Sequence, residues 1–376
     1  MPRAGKRIYM KKRKFMLSKG GKDFIASIIA IAAGLLIGLI ILLFSNSRQA
    51  FPAFGMILKG GFTDGLVGIA QVFYLSTPII LTGLSVGFAF KTGLFNIGSS
   101  GQFTCGAFAA VYIGVKWTFL PGEIHWVVAL IGALIAGALW GMVPGILKAV
   151  ANVNEVITSI MMNYIGMYLV NILIVKFVYD PIKSQSVPVA KSAIIPKAGL
   201  DKLFQSNNIN ISIFIAILAV IIIYIVLNKT TFGFELKACG LSPDASRYAG
   251  INAKRNIILS MTIAGALSGL GGGLLYLAGS GKYMQVLDVL APQGFNGISV
   301  ALLGMSNPIG ILFAGLFIGH ITVGGNNIQL YNFVPEIVDI IISTIIYFGA
   351  FALLIKSIIG KIRRKPSETA AVKEEK

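Results

Sequence analysis

Charge is scarce in this sequence. Of 376 residues only 12% are Asp, Glu, Lys or Arg, against about 25% in soluble domains. A water-facing surface cannot be built from so few charges, so a soluble globular fold is excluded and lipid must cover much of the chain. Acid is scarcer still, with 14 Asp and Glu against 32 Lys and Arg and a formal net charge of +18. In a soluble protein that excess would suggest nucleic acid. Here nine of the basic residues fall in residues 1–22 and seven in 356–376. Basic clusters beside hydrophobic runs are the positive-inside pattern of a membrane protein, so nucleic acid is not an expected partner and anionic lipid headgroups are.

There are two cysteines, Cys105 in a predicted span and Cys239 in a predicted inner loop. So placed, they do not easily meet, and neither a disulfide framework nor a metal pair is implied. The two histidines, His125 and His320, lack a Cys or His at ligand spacing and read as polar residues of a loop or span. No HExxH or GxSxG is found. The nearest approach to a phosphate-binding loop, Ala278-Gly279-Ser280-Gly281-Lys282-Tyr283, lacks the first glycine and the hydroxyl residue after the lysine, and it follows an apolar span. The chain is therefore expected to be no enzyme, with no metal and no cofactor of its own, so energy must come from a partner subunit or an ion gradient. The first apolar run, about twenty residues, is too long for a cleaved leader and reads as a retained span.

Hydrophobic residues make up 56% of the chain. Runs long enough to cross about 30 Å of hydrocarbon lie at 24–44, 66–90, 97–115, 126–147, 156–178, 211–228, 257–279 and 335–355. Apolar sequence at 292–324, interrupted from Gly304 to Pro308, adds two short or broken spans. The expectation is an all-α polytopic membrane protein of about ten transmembrane helices. An even number returns both termini to one side, and the basic tails place that side in the cytoplasm. The domains are then a cytoplasmic tail at 1–23, a transmembrane domain at 24–356 and a second tail at 357–376. Within the domain, 179–210 is an outer loop with a short surface helix, and 229–256 is an inner loop. Gly132, Gly137 and Gly141 in one span read as close helix packing. Phe95-Asn96-Ile97-Gly98 and Phe295-Asn296-Gly297-Ile298 echo each other ahead of oppositely directed spans, as an inverted repeat would.

Polar residues inside spans face a cavity or a neighbouring helix. Gln71, Asn96, Gln102, Asn163, Asn171 and Asn296 are such a set, and neutral amides suit a neutral, hydroxyl-rich solute; Phe95 and Phe295 offer faces on which a base can stack. Interhelix bonding is the competing reading for each. Glu155 opens the fifth span with Asn152 or Asn154 as cap, a structural role. In the inner loop, Ser242 can cap a helix, Pro243 suits its first position, Asp244 complements its positive end and Gly250 suits the turn beyond it. That predicts a two-turn helix over 243–249, with Arg247 on it, which is either a surface connector or a docking element for a cytoplasmic motor.

These segments resemble the permeases of the ABC importer family that takes up nucleosides, simple sugars and branched-chain amino acids, the nucleoside branch most. The pattern Phe-Asn-Ile-Gly-x-Glu-Gly-Gln is matched by Phe95, Asn96, Ile97, Gly98, Gly101 and Gln102, with Ser100 in place of glutamate. Asn-Glu-Val-Ile then Ile-Met-x-Asn-Tyr-Ile is matched at Asn154 to Ile157 and at Ile160, Met161, Asn163, Tyr164 and Ile165. A loop pattern covers Gly233 through Ile251, departing at Lys237, Ser242 and Ser246, and a further one runs from Gly294 to Gly304 with Asn307-Pro308 after it. The resemblance implies the pathway-forming permease of an importer in a bacterial cell membrane. It also implies a second permease, identical or different, two ATP-binding subunits that hold ATP and Mg²⁺, and an extracellular substrate-binding lipoprotein. The inner loop bearing Ser242, Pro243, Asp244, Arg247 and Gly250 would dock the ATPase. Ribose-type sugars or branched-chain amino acids are alternative cargoes. An ion-coupled secondary transporter is the alternative mechanism, opposed by the lack of acids or histidines deep in the spans.

Overall fold

The computed structural model describes residues 19 to 351. The basic tails expected at 1–23 and 357–376 lie outside these residues except for 19–23. In chain order the helices are α1 (Lys19–Ser45), α2 (Ala50–Lys59), α3 (Gly65–Lys91), α4 (Ser99–Lys116), α5 (Gly122–Ala151), α6 (Glu155–Phe177), α7 (Leu200–Phe204), α8 (Ser212–Lys229), α9 (Thr231–Leu241), α10 (Pro243–Tyr248), α11 (Ala253–Tyr276), α12 (Pro292–Leu303), α13 (Pro308–Asn327) and α14 (Pro335–Ala350). Strands β1 (Tyr179–Asp180) and β2 (Gln185–Ser186) form a small antiparallel hairpin between α6 and α7.

Over the described residues every predicted span coincides with a helix, residues 352–355 of the last span lying outside them, but the helices are not equivalent. Among the described residues seven are long and apolar enough to cross a membrane: α1, α3, α5, α6, α8, α11 and α13. The other three predicted spans fall on α4, with 18 residues, α12, with 12, and α14, described over 16. At 1.5 Å per residue α12 covers about 18 Å, short of the hydrocarbon thickness. Its end is a tight turn in which Met305 and Ser306 both take positive φ, and Asn307 then caps α13 by accepting from the Ile309 N–H at 3.0 Å.

Contacts divide the chain into two units. One combines the ends of the chain, and within it α1 packs along α14, with Gly38 beside Ile341. The other, Gly55–Leu330, holds the remaining spans. Its centre is α3, whose apolar window is 83% buried, while α5 and α6 are 28% buried and turn broad apolar faces outward. The tightest pairing is α5 against α11. A Cβ on Gly137 would collide with the Gly265 carbonyl, and one on Gly141 would stand 2.5 Å from the Met261 carbonyl. Backbones approach this closely only where small residues face each other, which is how helices associate without a hydrophobic drive. Gly132 belongs to a different contact and meets Ile113 of α4.

The expected short helix of the outer loop is α7, and the loop is tied down by His125. Its ring is fully buried, with Nδ1 2.8 Å from the Ser192 hydroxyl and Nε2 3.0 Å from the Ile113 carbonyl. His320 is also an internal joint: Nδ1 accepts from the Gly61 N–H at 3.3 Å and Nε2 reaches the Leu58 carbonyl at 3.1 Å. Cys105 on α4 and Cys239 on α9 are both buried and free.

Candidate functional site

Three of the predicted amides meet. The link between α3 and α4 turns back so that Asn96 and Gln102 exchange hydrogen bonds, Asn96 Nδ2 to Gln102 Oε1 at 2.8 Å and Gln102 Nε2 to Asn96 Oδ1 at 3.0 Å. Asn96 Nδ2 also donates to Ser85 Oγ of α3 at 3.0 Å. Asn163 of α6 reaches the same corner, accepting from the Gly101 N–H at 2.8 Å and donating to the Ile97 carbonyl at 3.0 Å. Gly101 lies in the first turn of α4, where backbone N–H groups have no partner within the helix, so Asn163 supplies one. The three side chains are 0 to 1% exposed. In this conformation they join α3, α4 and α6, and no solute reaches them.

The other pathway candidates stand elsewhere. Gln71 on α3 accepts from Asn208 Nδ2 at 3.0 Å. Phe95 is half-buried and stacks on Phe90, with centroids 5.0 Å apart and planes at 19°. Phe295 is 41% exposed in the first turn of α12. Asn296 beside it is half-buried and has no side-chain partner among the described residues. The Phe-Asn echo is therefore uneven: Phe95 precedes its helix, whereas Phe295 lies inside α12. α12 enters between α3 and α4, where Ser100 Oγ donates to the Ala291 carbonyl at 2.8 Å and Thr82 Oγ1 lies 2.9 Å from the Gln293 carbonyl.

The inner-loop helix expected over 243–249 is α10. Ser242 Oγ accepts from the Ala245 N–H at 3.3 Å, Pro243 takes the first position and Asp244 sits in the first turn. Gly250 closes it at φ +80°, with its N–H on the Arg247 carbonyl at 3.0 Å and the Ile251 N–H on the Ser246 carbonyl at 3.0 Å. That pair of bonds is the Schellman termination, which needs a left-handed residue where glycine stands. Arg247 lies 3.8 Å from Asp244, and both are exposed. Leu241 and Tyr248, at 88% and 96% exposure, leave this end an exposed apolar surface among the described residues. α9, ahead of α10 and capped by Thr230, was not foreseen; the Thr230 hydroxyl before Gly233 was the signal that could have found it. Nearby, Asn154 rather than Asn152 caps α6, accepting from the Val156 N–H at 2.8 Å, and Glu155 pairs with Lys148 at 3.0 Å.

Lys282, from the sequence that falls short of a phosphate loop, lines a cavity of about 150 Å³ with Ser186, Tyr276 and Tyr283. Desolvation there holds its ammonium below the ordinary lysine value.

A mostly helical chain in which seven of the described helices are long and apolar enough to cross a membrane, with an exposed, doubly capped helix between two of them, defines a class, the multi-pass membrane protein. Residues 68–350 match the family model of the branched-chain amino acid transport system permease component, and the chain belongs to this family. It is 39% identical to the guanosine ABC transporter permease protein NupP of Bacillus subtilis over 90% of this chain and 96% of that protein. It is 37% identical to the nucleoside ABC transporter permease protein NupB of Lactococcus lactis over 94% and 98%. It is 30% identical to the glucose ABC transporter permease protein TsgB13 of Haloferax volcanii over 85% of each chain. No solved structure matches it. Permeases of this kind work with ATP-binding subunits and substrate-binding proteins.

Proposed function

We propose that this chain is the membrane permease subunit of an ATP-driven nucleoside importer. The observation that carries the reading is the near end-to-end similarity to the two nucleoside permeases, which cover 90% and 94% of this chain. The chain crosses the bilayer ten times with both termini cytoplasmic, α4, α12 and α14 adding to the seven candidate spans. The Phe95 and Phe295 motifs mark two halves of inverted direction. A bacterial cell membrane suits the arrangement, with a second permease beside this one, an extracellular binding lipoprotein above, and two ATPases below that hold ATP and Mg²⁺.

Within that assembly the exposed helix α10, with Ser242, Pro243, Asp244, Arg247 and Gly250, docks the ATPase, and the apolar side chains of Leu241 and Tyr248 supply contact area. Phe295 and Asn296, accessible on a short helix, belong to the pathway, and Gln71 and Phe95 stand at its margins. Asn96, Gln102 and Asn163 hold the wall from behind. Deleting the gene should abolish uptake of radiolabelled guanosine and adenosine. ATP depletion at a maintained ion gradient should abolish it too. Uptake that survives depletion would mean a secondary carrier, and loss of leucine or ribose uptake with nucleoside uptake intact would reassign the cargo.

A further inference from the structure

The stretch between the outer turn and α12 is not helical, although it runs beside spans. Residues 282–291 contain no helix, and their course is fixed at three points. At the outer end the Met284 carbonyl accepts from the Ser186 N–H at 2.7 Å, and its own N–H donates to Ser186 Oγ at 3.1 Å. Midway, Asn171 Nδ2 of α6 lies 3.1 Å from the Leu287 carbonyl and 3.2 Å from Asp288 Oδ1. At the inner end the Ala291 carbonyl accepts from Ser100, beside Gly101, which Asn163 of α6 holds.

α6 therefore serves as a ruler. It ends at Phe177, so Asn171 lies six residues and Asn163 fourteen residues before its outer end, about 9 Å and 21 Å at 1.5 Å per residue. An extended chain from 284 to 291 reaches about 23 Å at 3.3 Å per residue. Bends at Asp288 and Val289 keep the chain short of that limit, so the depth is read from α6: non-helical backbone descends toward the level of Asn163, roughly 20 Å below the outer end of α6 in a hydrocarbon layer about 30 Å thick.

Such a chain cannot satisfy its own polar groups. The N–H groups of residues 287 to 290 have no hydrogen-bond partner among the described residues. Leu287 and Val289 are 53% and 71% exposed, and the Asp288 carboxylate is exposed between them. Neither free backbone amides nor a carboxylate can face lipid, and irregular backbone at this depth is tolerated only inside protein or against water. We infer that residues 287 to 292, braced by Asn171 and continued by Phe295 and Asn296, are a water-lined wall of the translocation pathway, where Asp288 and the free backbone groups bind the hydroxyls of a passing neutral nucleoside. The inference rests on the permease reading. It deepens that reading by placing the solute-facing surface on backbone and a carboxylate rather than on the buried amides.

Cysteine accessibility tests it independently of transport. Starting from a chain with Cys105→Ala and Cys239→Ala, single variants Leu287→Cys, Val289→Cys, Lys183→Cys in the outer loop and Ile222→Cys midway along α8 are prepared in membranes open on both faces. Each is reacted with a charged, water-soluble methanethiosulfonate, and only protein that extracts as a monodisperse species is counted. A thiol reacts as its thiolate, which needs water, so positions 287 and 289 should react at rates near that of Lys183→Cys and about tenfold or more faster than Ile222→Cys. If both react as slowly as Ile222→Cys while a lipid-soluble maleimide labels them, the surface is dry and the inference is wrong. Labelling decides this wall. Uptake of guanosine by the same cells decides the nucleoside reading, so either can fail alone.

Discussion

The amide cluster of Asn96, Gln102 and Asn163 and the stretch around Asp288 contain similar chemistry, and both lie alongside the spans. In the cluster the amides bond to one another or to backbone at the start of α4, and they are shielded from solvent. Around Asp288, Asn171 makes the brace and the rest stays open. Residue type does not separate a joint from a pathway. What separates them is whether the chain itself supplies the partners, because at membrane depth every polar group left over must find water or another protein chain. α10 resembles the open region: its ends are satisfied by local caps, while Leu241 and Tyr248 stay exposed, the surface on which the proposed docking rests.

The largest expected effect strikes the closed side. Asn163→Ala leaves the Gly101 N–H and the Ile97 carbonyl without their partner in a buried corner, at about 1–3 kcal/mol for each group. A lowered melting temperature of the purified protein is expected. A melting curve unchanged from the parent would mean that the cluster is not a joint, and the contrast would collapse.

Gly250→Val comes next. A β-branched residue at φ +80° costs on the order of 1–2 kcal/mol, and a helix of 6 residues has little to resist it with. Membrane insertion should be normal, with binding-protein-stimulated ATPase activity lost. Stimulation at the parental level would remove α10 from the coupling role.

Arg247→Glu should change stability least. The pair with Asp244 is long and exposed at 3.8 Å, and such pairs contribute about 0–1 kcal/mol. Its effect should appear only across the interface, where reversed charge weakens docking, read as weaker co-purification of the ATPase. Intact co-purification would show that the docking face lies elsewhere.

Legibility in the sequence followed the distance to the partner. α10 was readable because Ser242, Pro243 and Gly250 act on backbone a few residues away, and its predicted extent of 243–249 differs from the observed helix by one residue. The cap of α6 was readable for the same reason, down to the choice between Asn152 and Asn154, which the structure makes for Asn154. Span positions were readable from apolar runs, though among the described residues α4 and α12 lack the length or apolarity of the seven candidate spans. The amide cluster was not separable from a pathway, since the partner of Asn163 is 62 residues away. The descent of residues 284–291 was invisible because it depends on Asn171, more than a hundred positions distant, and a stretch too short to span, between two apolar runs, reads as an ordinary surface loop.

ATP-dependent guanosine uptake per folded molecule, compared between Asn163→Ala and Asn296→Ala, tests the distinction between joint and pathway most directly. The account predicts that Asn163→Ala molecules that survive folding transport within about twofold of the parent. Asn296→Ala should melt like the parent yet transport up to about tenfold less, the loss expected from one hydrogen bond to the solute worth about 0.5–1.5 kcal/mol. The reverse pattern, with Asn163→Ala stable but inactive and Asn296→Ala fully active, would contradict it.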